Sequence, residues 1–267
     1  MILEVYSAVT KKILDELDKG VVPWIKPWNE LQSCNMVSGR AYTGINRWLL
    51  SSCTHWATFN QIKELGGKLK AGSKSSIAVF WKPYEDSNGE QRLVCRYYHL
   101  FNINQVEGIP PEKLPKIDMA IPEPDAEKIW LNYKDCPTIE YGSNQAGYSP
   151  DLDILRMPVP ASFNSVNAFY LTLFHELIHS TGHKDRLDRK ASLDPNSDKY
   201  QTEELIAEIG ACYLASYTGI QNDIEQSAAY IDHWKNLLSG DKHLIMTASA
   251  KAQKAVDYIL GVNSVNT

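Results

Sequence analysis

The segment His175-Glu176-Leu177-Ile178-His179 has the residue types and the spacing of a zinc-hydrolase site. Positions four apart share one face of a helix, so His175 and His179 can each aim a ring nitrogen at one ion while Glu176 projects beside them. Two neutral imidazoles leave Zn2+ electrophilic, a third ligand fixes it, and the position left open lowers the pKa of a bound water to about 7. Glu176 is then the general base at neutral pH, and the same carboxyl can protonate a leaving amine. The pattern fixes only three positions, so a chance match is the competing reading. Context argues against chance: Phe169, Leu173 and Leu177, with Thr172 and Ile178, give the segment an apolar side, and Ser162 through Asn167 supply polar residues for a helix start.

Two kinds of residue compete for the third ligand. His183 follows closely, but on a continuing helix it sits a full turn, about 5–6 Å, beyond His179. The alternative is a carboxylate from the later segment Glu203-Glu204-Leu205-Ile206-Ala207-Glu208. There Glu204 is the preferred ligand, and Glu208, one turn on, is expected to hold a histidine N–H. Small Ala207 allows that helix to approach the histidines. The bland alternative is that Glu203, Glu204 and Glu208 form only a solvated helix face.

The first half suggests a different chemistry. From Arg40 to Lys82 there are seven basic residues, Arg40, Arg47, Lys63, Lys68, Lys70, Lys74 and Lys82, against one acidic residue, Glu64. Tyr42, Trp48, Trp56, Phe59, Phe80 and Trp81 are interleaved with them. Cations that follow phosphates and flat rings that stack on unpaired bases suit single-stranded nucleic acid better than a duplex groove. The same mixture suits an ordinary domain whose aromatics are core. The Gly-punctuated basic run Gly66 through Ser75 can bring backbone N–H groups and lysines onto a phosphate, although the P-loop spacing is absent.

Positioning these residues needs two domains. Residues 1–116 carry 15 Lys+Arg against 11 Asp+Glu and the remainder 12 against 21, so net charges of +4 and −9 sum to −5 over the 267 residues. Five prolines between Pro110 and Pro124 exclude continuous helix or central strand. The boundary therefore falls near residues 108–125, with 117–125 as the linker and 126–267 as the second domain. Before it, Val5, Val9, Ile13 and Leu17 predict an amphipathic first helix stopped at Gly20, Pro23 to Trp28 a loop, and Ile45–Leu50 and Thr58–Leu65 short helices. Strands are expected at Ser76–Lys82 and Leu93–Phe101. After it, Thr138–Tyr141, Ala146–Tyr148 and Ile154–Met157 predict a small antiparallel meander, followed by helices at about 165–181, 200–217, 221–238 and 242–260. The fold class is α+β. Five widely spaced cysteines without a Cys-x-x-Cys pair indicate buried thiols. No apolar run reaches the roughly 18 residues of a membrane span, and Met1-Ile2-Leu3-Glu4 lacks signal-peptide character, so a cytoplasmic protein with no membrane partner is expected.

The His175–His179 and Glu203–Glu208 pattern resembles the glutamate-type zincin metallopeptidases, which implies Zn2+ and a protein or peptide substrate bound along an edge strand, here Ala146–Tyr148 or Ile154–Met157. Both halves together resemble the ArdC family of antirestriction proteins, whose N-terminal domain also occurs in plasmid and phage primases. The residues that carry the resemblance are Gly20-Val21-Val22-Pro23-Trp24 with Pro27-Trp28, Gly39 through Asn46, Lys70 through Ser75 with Phe80-Trp81-Lys82, and Phe101 through Val106. In the second half they are His175 through His183 and Glu203 through Gly210. The resemblance implies a single-stranded-DNA-binding domain joined to a zincin-like metallopeptidase domain, carried on mobile DNA and protecting an incoming strand from restriction. The nucleic-acid contacts are then expected at Arg40, Tyr42, Asn46, Arg47, Trp48, Lys68, Lys70, Lys74, Trp81 and Lys82. His183 and Arg186 match a family signature, and their position alone suggests rim or interdomain contacts.

Overall fold

The structure is a computed structural model and describes residues 2–25, 33–85, 91–116, 126–192, 194–221 and 228–262. The expected Pro-rich linker at 117–125 and part of the Pro23–Trp28 loop lie outside the described residues. The chain divides into two compact units, Met1–Lys11 with Glu30–Ala120 and Asn266–Thr267, and Lys12–Asn29 with Ile121–Val265.

The division falls within the first helix, α1 (Ile2–Leu17), so residues 12–29 differ from the split that charge and proline content suggest. The reason is packing after the helix. Trp24 meets Trp234 edge-on at 6.2 Å and Asp18 pairs with Lys235 at 2.5 Å. The four-residue periodicity of α1 is realised, with Val5, Val9, Ile13 and Leu17 all buried.

In the N-terminal unit, β1 (Cys34–Asn35), β2 (His55–Ala57), β4 (Ser76–Glu85) and β5 (Gln91–Asn102) form a sheet in the order β1-β2-β5-β4. A second small sheet pairs β3 (Lys68–Leu69) with β6 (Val106–Glu107). Helix α2 (Asn46–Leu49) lies beside β4, and α3 (Phe59–Glu64) begins at a Thr58 capping box closed by Gln61. Met36, Ala57, Ile62 and Val106 form one core cluster, covered by Leu65, Leu69, Phe101 and Ile109.

In the C-terminal unit, α4 (Ala126–Leu131), which no sequence periodicity announced, precedes three strands: β7 (Thr138–Tyr141), β8 (Gly147–Ser149) and β9 (Ile154–Met157). They do not form an antiparallel meander. The order is β7-β9-β8, with β7 parallel and β8 antiparallel to β9. Strand β9 is central and turns Leu155 and Met157, on one face, into the core. Four helices follow, α5 (Val166–Ser180), α6 (Asp198–Thr218), α7 (Ala228–Gly240) and α8 (Leu244–Ile259). Gly210 lets α5 and α6 approach closely: a Cβ there would lie 2.6 Å from Ile178 Cδ1.

Candidate metal centre

Helix α5 starts where Ser165 accepts a hydrogen bond from the Ala168 N–H at 3.0 Å. Leu171, Leu173, Phe174 and Leu177 anchor it in the core, while Ile178 packs against Gly210 of α6 and His175 and His179 face Glu204 of the same helix. Helix α6 starts at Ser197, which accepts from the Tyr200 N–H at 3.2 Å. Buried Leu205, Ile206, Ala207 and Ile209 place its acidic side against α5.

The two helices bring His175, His179 and Glu204 together, one ligand atom of each within 4.8 Å of the others. The Nε2 atoms of the histidines are 3.0 Å apart, and each lies 3.5 Å from an oxygen of Glu204. Donors about 2.0–2.2 Å from a tetrahedral ion are separated by about 3.3–3.5 Å; the two histidine–Glu204 separations match this and the histidine–histidine one is shorter, so two imidazoles and a carboxylate stand where they could hold a divalent ion. Glu176 is buried beside the histidines, at 8% exposure.

A carboxylate behind a histidine was expected of Glu208, and Glu203 holds such a position as well. Glu203 faces the other nitrogen of His179, with Oε1 3.5 Å from Nδ1, and Glu208 lies near His175, whose imidazolium its charge favours. Glu203 is buried and gripped by Arg189, so the acidic side of α6 is not a solvated face. The sequence signal was available: Glu203 precedes Glu204 and lies about one turn before Ala207 on the same helix, but neighbouring carboxylates look alike until the helix is rotated into place.

Burial disfavours the His175 imidazolium, but the hydrogen bond with Glu204 and the charges of Glu208, Glu176 and Glu204 outweigh it and raise its pKa. Burial likewise opposes the Glu203 and Glu204 carboxylates, yet both are held below the usual range, Glu203 by His179 and Arg189 and Glu204 by the two histidines. Glu208 is raised, with burial the leading cause. The Tyr200 hydroxyl meets Glu204; burial and then the Glu204 charge raise the phenol.

His183 is not brought to the cluster. Helix α5 ends at Ser180, and the His183 Nδ1 accepts the Asp185 N–H at 3.3 Å in the following turn. Arg186 is buried within the C-terminal unit rather than at a rim. Its guanidinium is 6% exposed and binds Asp153 through two contacts of 2.8 Å, the Ser180 carbonyl at 2.9 Å and the Asp135 carbonyl at 2.9 Å. All of these belong to the C-terminal unit. Strand Ile154–Met157 is flanked on both sides, which leaves β8, not β9, as the strand able to pair with an extended peptide of the two considered.

The N-terminal candidates divide by burial. Arg40, Lys68, Lys70, Lys74 and Lys82 are exposed, and Arg47 and Trp81 are half-buried. Lys70 donates to the Asn104 carbonyl at 2.8 Å. Tyr42, Asn46 and Trp48 are buried and unavailable for stacking or phosphate contact. Asn46 instead substitutes for a neighbouring strand: its amide donates to the Val79 carbonyl and accepts the Val79 N–H, both at 2.7 Å. The β4–β5 pairing reveals an additional stripe, with Tyr98, Arg96 and Val94 opposite Ala78, Phe80 and Lys82. Tyr98 is 36% exposed and meets Phe80 edge-on at 5.3 Å.

A buried His-Glu-x-x-His helix facing an acidic helix, beside a small mixed sheet, defines a zincin-like metallopeptidase fold. Residues 125–251 match the family described as zincin-like metallopeptidase, and residues 3–109 match the N-terminal domain of anti-restriction factor ArdC. The Mn(II)-bound crystal structure of the antirestriction ArdC protein from plasmid R388 superposes with a TM-score of 0.79 at 34% identity, covering 98% of this chain and 99% of that one. Its metal-free structure gives a TM-score of 0.75 at the same identity, covering 96% and 97%. The chain belongs to the ArdC antirestriction protein family. DNA primase TraC of Escherichia coli is 31% identical over 96% of this chain, which spans 27% of the primase. Protein y4eC of Sinorhizobium fredii is 29% identical, with 96% and 91% covered. Among the described residues, no helix is long and apolar enough to cross a membrane.

Proposed function

We propose that this protein carries a Zn2+-dependent peptidase centre in its C-terminal unit and binds single-stranded DNA through its N-terminal unit, protecting mobile DNA as it enters a host. The observation that carries the first half is the convergence of His175, His179 and Glu204 at ligand separations, with Glu176 buried beside them. His175, His179 and Glu204 would hold the ion. When bound, it acts as a Lewis acid and lowers the pKa of water at the site. Glu176 accepts a proton from the attacking water and passes it to the leaving amine. The outer edge of β8 offers its backbone to an extended peptide.

Zinc titration of the full chain tests the ligands: His175→Ala and Glu204→Ala lose binding, and unaltered affinity in both overturns the assignment. Glu176→Gln is expected to retain zinc but to lose cleavage of a fluorogenic peptide library. A second reading is favoured by the position of the site, which joins α5 to α6: the ion braces the fold and no peptide is cut. DNA protection in cells carrying Glu176→Gln at wild-type level assigns the biological role to that reading.

The DNA half is supported by the exposed cations Arg40, Lys68, Lys74 and Lys82 and by the ring and cation stripe Phe80, Tyr98 and Arg96. Fluorescence anisotropy with oligonucleotides should give affinity that falls steeply with salt and favours single over double strands. No binding at low salt refutes it.

A further inference from the structure

The chain after α5 turns back sharply onto the helix end. The Leu187, Asp188 and Arg189 N–H groups donate to the carbonyls of Thr181, His183 and Gly182 at 3.0, 3.0 and 3.1 Å. Asp188 completes the turn at φ 44°, in the left-handed region that Asp tolerates better than most residues. The result is that Arg189, 8% exposed at its side chain, lies between the end of α5 and the start of α6.

Every branch of its guanidinium is used there. Nη1 donates to Thr181 Oγ1 at 2.6 Å and Nη2 to the Ile178 carbonyl at 2.7 Å. Nε and Nη2 grip Glu203 from 2.7 to 3.2 Å. Gly182 makes room for this: a Cβ there would lie 3.2 Å from Nη2 and 3.1 Å from the His179 carbonyl. Glu203 in turn faces His179 Nδ1, and the opposite nitrogen of that ring, Nε2, faces Glu204 and His175.

We propose that Arg189, acting through Glu203, is a positioning residue that holds the His179 proton on Nδ1 and so presents the Nε2 lone pair to the metal. The proposal rests on the metal reading above. A histidine can ligate through Nε2 only when that atom is unprotonated, and the acceptor at the other nitrogen decides the tautomer. Glu203 supplies the acceptor. Arg189 supplies what a buried carboxylate beside Glu204 lacks: a partner that compensates its charge, and a fork that fixes the plane of its oxygens. Because the same fork binds the Ile178 carbonyl and the Thr181 hydroxyl, the acceptor is referenced to the helix that carries His179.

The test uses the full chain and Zn2+ competed against a chromophoric chelator. Glu203→Gln is expected to weaken zinc binding by about 10- to 100-fold. Arg189→Lys, which keeps the charge but not the fork, should fall between it and wild type. If single variants fold poorly, the double variant Glu203→Leu with Arg189→Met removes donor and acceptor together and leaves no unpaired buried charge; it should fold and still bind zinc at least tenfold more weakly. Zinc affinity within twofold of wild type in the folded double variant overturns the proposal. Ring nitrogen NMR of the metal-free protein gives a readout that a purely structural role does not move. The His179 proton should sit on Nδ1 in wild type and lose that preference in the double variant. Were wild type to bind no zinc, the metal reading would fail by itself, and the ring measurement would still decide the relay: a proton on Nε2 in wild type refutes it.

Discussion

Gly210→Ala sets two effects of known sign against each other. Alanine is better than glycine in a helix interior by about 1 kcal/mol, so an isolated α6 gains. The new Cβ, however, would stand 2.6 Å from Ile178 Cδ1, 2.7 Å from Cγ1 and 3.1 Å from Cγ2. Comfortable carbon contacts are about 3.5–4.0 Å, so the helices must part by up to about 1 Å or Ile178 must leave its rotamer. Ile178 is fully buried and β-branched, with one strongly preferred helical rotamer, which puts the cost toward the upper end of the about 1–3 kcal/mol typical of overpacking. The net expectation is a loss of about 1–2 kcal/mol, or about 2–8 °C in Tm for a unit of this size.

The same displacement acts on the metal centre. Ile178 precedes His179, and the 3.5 Å separations to Glu204 would open toward about 4.5 Å, beyond what one ion can bridge with ordinary bond lengths. Calorimetric unfolding of the metal-free protein and zinc competition are the assays. Ile178→Ala combined with Gly210→Ala removes the colliding branches and should recover zinc affinity, although the double variant remains less stable. A Gly210→Ala protein with a raised Tm and unchanged zinc affinity would refute the reasoning.

Arg186→Met breaks a buried network and should destabilise the C-terminal unit by about 3–5 kcal/mol, read by calorimetry. Burial alone would raise the Asp153 carboxyl, but hydrogen bonds from Arg186 and Tyr148 leave it below its ordinary value. A depressed folded pKa means its stabilisation is present above the unfolded value of about 3.9 and is lost as pH falls through the folded one. Asp153→Asn should therefore be less stable than wild type at neutral pH, with the gap closing below about pH 4 in acid titrations followed by circular dichroism. Asn46→Ala leaves both Val79 backbone groups without their partner and should cost about 2–3 kcal/mol in thermal unfolding of the N-terminal unit, with an unchanged salt slope for oligonucleotide binding. Saturating Zn2+ should raise Tm in wild type and leave a His175→Ala variant unmoved.

The elements that could be read from sequence were those whose side chains repeat with the period of their own backbone. Val5 through Leu17 read as α1, Ser76–Lys82 and Leu93–Phe101 as strands, and the four late helices lie within a few residues of their expected spans where described. Features that depend on pairing were less legible. A strand such as Ile154–Met157 has the same residues whether it is central or at an edge, and only its burial between β7 and β8 distinguishes them. Asn46 among aromatics and cations looks like a nucleic-acid contact, yet its amide completes the edge of β4 at Val79.

By itself the sequence determined the chemistry available: two imidazoles one helical turn apart, because i and i+4 share a face whatever surrounds them, with the Glu176 carboxylate next to the first. It also narrowed the partner to the acidic run at Glu203–Glu208. Which carboxylate meets the two Nε2 atoms, which one backs the His179 ring, and that Arg189 grips the latter were decided by the packing of α5 on α6 at Gly210 and by the turn at Asp188. The physical reason is that ligand distances depend on the rotation and spacing of two helices, and those are properties of the contact between them.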